Sequence, residues 1–165
     1  MNITLLFSKL GLSPKLSQDI MLILFLALVS FIYGMLIGKY RLMTVLINTY
    51  VSFAIISVVP HKTFPDYSME LLAFFIILIL LTVFNKRFFD LSFTGSGSGF
   101  LWRVFSMSFL QIVLLLSITF SITPKKFALA YVSSTAYAYL TKGWSPFIWM
   151  ALPLAYMYFI YKKIR

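Results

Sequence analysis

The sequence predicts an all-α fold, a polytopic transmembrane helix bundle of about five spans joined by short loops. Three observations point there. Hydrophobic residues make up 61% of the 165 positions and charged residues 11%, against about 45–50% and about 25% in soluble domains. So little polar surface could not coat a globule in water, which leaves lipid as the solvent. The chain also contains five long apolar runs, each close to the ~17–25 residues that cross a ~30 Å hydrocarbon core as a helix. Finally, the 14 Lys and Arg residues stand singly or in pairs between those runs, as membrane-flanking residues do. On a nucleic-acid binder the net charge of +10 would instead gather on one face among aromatics, so no nucleic acid is expected as a partner.

Residues 1–19 hold only a short apolar run, Ile3 to Phe7. It is too short for the core of a secretory leader, and the segment reads as an amphipathic stretch lying at the membrane surface. The rest, 20–165, reads as a single transmembrane domain. Its first span covers about 20–37 and carries no charge. After the basic turn "GKYR" a second covers about 42–59 and stops at Pro60. The third, about 68–84, closes with Asn85, Lys86 and Arg87. Thr63 with Asp66 three residues later has the spacing of a capping box for its start. The fourth covers about 101–122 and is stopped by Pro124 and two lysines. The fifth covers about 144–161, and Pro153 inside it removes one backbone hydrogen bond and predicts a kink. Trp144, Trp149, Tyr158 and Tyr161 lie at or near its ends, where interfacial aromatics belong. Between spans four and five, 127–140 is uncharged but covers only about 21 Å as a helix. It reads as an interfacial or re-entrant, half-inserted helix rather than a sixth span.

The stretch "TGSGSGF" between spans three and four resembles a phosphate loop at first sight. A Walker-type loop needs a lysine after its last glycine, and Phe100 and Leu101 stand there instead. Gly95, Gly97 and Gly99 with Ser96 and Ser98 read as a solvated, flexible connection. Catalytic chemistry is poorly supplied elsewhere too. There is no cysteine, His61 is the only imidazole, and Asp19, Asp66, Glu70 and Asp90 are the only side-chain carboxylates. No catalytic, cofactor-binding or metal-binding residues are assigned, and neither an enzyme nor a cofactor is expected.

The residues singled out lie inside the spans. Ser30, Gly34 and Gly38 form a small-residue row at steps of four, which lets two helices approach closely; Ala151 and Ala155 beside Pro153 suggest a second close contact. Thr44, Asn48 and Ser52 repeat the step on span two. Ser108, Gln111 and Thr119 share an arc of roughly 80° on span four. Lipid cannot satisfy an amide, so Asn48 and Gln111 should face protein, either in interhelical hydrogen bonds or along a polar track for a small solute.

The order of features resembles the colicin V production protein family of bacterial inner-membrane proteins over about residues 20–122. It comprises an apolar helix ending in "YGMLIGKYR", a second helix, a third ending in "NKRFFD", a Gly-rich connection and a fourth helix. The resemblance implies a part in export or envelope maintenance, and it brings no catalytic residues. The expected function is a non-enzymatic scaffold or accessory factor acting through helix contacts; the alternative is a small channel or transporter using the polar faces of spans two and four. Expected partners are the lipid bilayer and other membrane proteins or a second copy of the chain. With five spans, eight Lys and Arg fall on one side and six on the other, which favours an outside N-terminus and a cytoplasmic C-terminus.

Overall fold

The computed structural model describes residues 14–37, 41–60, 64–85 and 99–164. The residues expected as a surface segment (1–13), Gly38 of the small-residue row, Thr63 and the Gly/Ser stretch before Gly99 lie outside that description. Among the described residues all regular structure is helical. The elements are α1 (Pro14–Ile37), α2 (Leu42–Val58), α3 (Tyr67–Phe84), α4 (Gly99–Ile122), α5 (Lys125–Ala128), α6 (Ser134–Thr141) and α7 (Ser145–Ile164). Three helices, over Asp19–Ile37, Tyr67–Phe84 and Trp102–Ile122, are long and apolar enough to cross a membrane. The other two apolar helices, Leu42–Val58 and Ser145–Ile160, are shorter. At ~1.5 Å per residue α2 covers about 25 Å.

Local chemistry explains where these boundaries differ from expectation. Helix α1 runs over Pro14–Ile37, so residues 14–19 are continuous with the first span, whose span-length apolar part opens at Asp19. Asp66, in extended conformation, caps α3 through its backbone alone; its side chain makes no capping hydrogen bond, so the expected capping box is not what starts the helix. The stretch 127–140 is not one helix. The Ser133 hydroxyl accepts from the Ala136 N–H at 3.0 Å, which starts a new helix there and separates α5 from α6. Gly143, with φ of 62°, turns the chain from α6 into α7.

Helix α4 is the hub, packing against α1, α2, α3, α6 and α7. Of its apolar window 44% is buried, against 17% for α1 and 11% for α3. Gly34 of α1 meets Ser108 and Val104, while Leu26 clusters with Val113 and Phe120; the descending order means that α1 and α4 run antiparallel. One core, built on Leu42, Leu46, Phe74, Met107, Leu114, Ile118 and Ile160, joins α2, α3, α4 and α7. A second, with Leu26, Val113, Phe120, Ala128, Val132 and Leu140, joins α1 and α4 to the α5–α6 segment.

Helix α7 is pinned to α2 at its proline. Pro153 cannot donate to the Trp149 carbonyl one turn back, which loosens that turn. There the Tyr50 hydroxyl donates to the Met150 carbonyl. Tyr50→Phe is expected to lower stability in detergent by about 0.6 kcal/mol, the usual worth of such a bond in a membrane bundle, measured by unfolding in a graded detergent mixture.

Candidate functional site

Most polar side chains of the long helices turn inward, although Ser57, Ser68 and Ser121 are exposed. On α2, Thr44, Asn48, Thr49 and Ser52 are all buried, and so are Ser30 on α1 and Ser108, Gln111 and Ser117 on α4. Thr119 is half-buried. Several of these groups satisfy themselves on their own helix. The hydroxyls of Ser30, Thr49 and Ser52 donate to the carbonyls of Leu26, Val45 and Asn48, one turn back, at 2.6, 2.8 and 2.7 Å.

Asn48 reaches across to α3. Its Nδ2 donates to Thr82 Oγ1 at 3.3 Å, and its Oδ1 accepts from Asn85 Nδ2 at 2.6 Å. This pair ties the C-terminal end of α3 to α2, beyond its buried residues Phe74 and Leu78. Asn48→Leu should therefore loosen α3 selectively. The expected cost is about 1–2 kcal/mol for two interhelical bonds, read as faster hydrogen exchange over α3 with α4 unchanged.

Gln111 behaves differently. It is 0% exposed, and among the described residues neither amide atom has a hydrogen-bond partner. Ser108 Oγ, one turn away on the same face of α4, and the Tyr33 hydroxyl on α1 are also buried without partners. More than ~90% of buried polar groups are satisfied, so three such side chains, two of them a turn apart on α4, are unusual. The expected interhelical bonding thus describes Asn48 and not Gln111.

The small-residue row packs inside the chain. A Cβ on Gly34 would stand 2.7 Å from Ser108 Oγ and 3.4 Å from Val104 Cγ1, so the partner of Ser30 and Gly34 is α4 of the same molecule. Ala151 and Ala155 make no such contact. Both are exposed, because they lie about 160–200° around α7 from buried Pro153 at 100° per residue. The packed side of α7 runs through Pro153 and Ile160 instead.

A second feature was not visible in the sequence. A half-open groove of about 360 Å³ lies between α1, α4, α6 and α7, lined by Asp19, Leu22, Ile23, Leu26, Phe109, Val113, Ala136, Tyr139, Leu140 and Trp149. Its floor, α6, is short but well satisfied. The last carbonyls of a helix lack intrahelical donors; here Ser117 Oγ donates to the Leu140 carbonyl and Trp149 Nε1 to the Tyr139 carbonyl, both at 2.8 Å. At the other end the Ser133 hydroxyl donates to Asp19 Oδ1. Trp149 is therefore a docking residue, whereas Trp144 and Tyr158 are exposed as interfacial aromatics would be. The one sequence signal for this site is a carboxylate opening an uncharged apolar run in a basic chain.

Among the described residues no three His, Asp or Glu side chains gather as a metal site requires. No protein family, curated protein or solved structure matches the chain.

Proposed function

We propose that this is a non-enzymatic integral membrane protein, a scaffold or accessory factor that holds other membrane helices against its outer faces. The observation that carries this reading is α3. The helix is fixed to the bundle along one side, by Phe74, Leu78 and the Asn48 hydrogen bonds, while Ile76, Ile79, Leu80 and Val83 are exposed. Helices associate in lipid through packing of such firm apolar faces, since lipid tails supply no hydrophobic drive of their own. In this reading all five long helices cross the bilayer, with the N-terminus outside and the C-terminus cytoplasmic. The resemblance to the colicin V production protein family suggests export or envelope maintenance as the setting. A photo-crosslinking residue at Ile79, activated in intact cells, is expected to give discrete protein adducts, whereas one at buried Leu46 gives none. Lipid adducts alone at Ile76, Ile79 and Val83 would remove the scaffold reading.

Gln111 favours a second reading, a small-solute pathway. An amide held at the hub without a partner can bond a passing polar molecule. Solute flux in proteoliposomes that disappears in Gln111→Leu would establish transport and displace the scaffold.

A further inference from the structure

We propose that the groove between α1, α4, α6 and α7 holds one acyl chain of a membrane lipid whose headgroup carries a primary ammonium, with Asp19 as the counter-ion of that headgroup. The volume of about 360 Å³ falls within the ~300–1,000 Å³ of small-molecule sites. Polarity is ordered along it. Asp19 is the only group in the lining that carries a charge at neutral pH, and the same helix continues the wall through Leu22, Ile23 and Leu26. From Asp19 to Leu26 the helix rises about 10 Å, so the site joins a charged rim to an apolar shaft, as a lipid joins headgroup to tail.

Charge complementarity identifies the headgroup. With 14 basic residues, the molecule as a whole attracts anionic lipids at its surface. A carboxylate at the mouth of this groove works locally against them and in favour of a cation. Ser133 donates one hydrogen bond to Asp19, which fixes the carboxylate, and its two oxygens accept about four bonds in all. An ammonium with three N–H donors can use the positions that the described residues leave open, whereas a quaternary choline, which has no N–H, cannot. Trp149 also lines the groove, where a bound tail would touch it.

Bromine on an acyl chain quenches tryptophan at contact, so Trp149 reports occupancy directly. In full-length protein carrying Trp102→Phe and Trp144→Phe, reconstituted in phosphatidylcholine vesicles, acyl-brominated phosphatidylethanolamine is expected to associate about five-fold more strongly than brominated phosphatidylcholine or phosphatidylglycerol, the ratio that corresponds to about 1 kcal/mol. Asp19→Asn keeps an acceptor for Ser133 and should bring that ratio to about one, with phosphatidylcholine quenching unchanged. Ala136→Phe, which fills the groove, should abolish quenching for all three lipids. Equal association of the three headgroups in the unaltered site would overturn the ammonium assignment. Quenching no stronger than at a single Trp144 on the exposed surface would overturn the groove as a lipid site, and would mean that it is empty or covered by another polypeptide.

Discussion

Gly34→Leu is expected to separate α1 from the hub and to cost about 3 kcal/mol or more, at or above the upper end of the usual range for overpacking. The first added carbon alone would stand 2.7 Å from Ser108 Oγ, closer than heavy atoms pack, and the rest of the side chain would drive further into α4. Gly34→Ala is a milder case with opposing terms. Ser108 must rotate its hydroxyl away, but alanine in a helix interior is worth about 1 kcal/mol over glycine, so the change should fall within about 1 kcal/mol of neutral. Removing the obstructing oxygen changes the sign. In a Ser108→Ala background the nearest neighbours are Val104 Cγ1 at 3.4 Å and the Cβ of residue 108 at 3.5 Å, which are ordinary contacts, and Gly34→Ala should then stabilise. The double-mutant cycle should show a coupling of about 0.5–3 kcal/mol, as for other touching pairs. Unfolding of the purified protein in detergent, followed by helicity, measures all four corners. A Gly34→Leu protein that unfolds with the parent would mean that α1 and α4 do not meet at this seam.

How much of this was legible in advance depends on the range of the physics involved. Helical character is local: the apolar runs, Pro60, Pro124 and the basic turns placed three of the five long helices to within two residues at both ends, and the start of α7 to within one. The inward face of α2 was local as well, because Thr44, Asn48 and Ser52 recur at the helical step and lipid penalises all three. What escaped was pairing. Ser133 and Asp19 are 114 residues apart, Tyr50 and Met150 100 apart, and no periodicity joins them. Ala151 and Ala155 show the same limit, because small residues permit close packing without naming the partner; the register of α7, set by Pro153 and Ile160, turns them away from the rest of the chain. The break at Ser133 was a local signal that was present but outweighed by the uncharged length around it.

Gln111→Met should raise stability by about 1–3 kcal/mol, the cost of leaving a buried amide unsatisfied. Most substitutions at a fully buried position destabilise, so the sign is informative. Methionine nearly matches glutamine in length and flexibility and fills the same space without the two orphaned atoms, so no cavity term opposes the gain. The contrast with Asn48 makes the argument specific: both are buried amides on polar rows, yet Asn48→Leu breaks two hydrogen bonds and should destabilise, whereas Gln111→Met breaks none. The same experiment separates the two functional readings. If the amide exists to meet a polar solute, the stabilised Gln111→Met protein loses flux while it gains stability, the trade expected where a functional group is kept at the expense of the fold. If it gains stability and the crosslinks from Ile79 persist unchanged, the amide is irrelevant to the scaffold. A Gln111→Met protein less stable than the parent would mean that the amide is bonded after all, by water or by a neighbour.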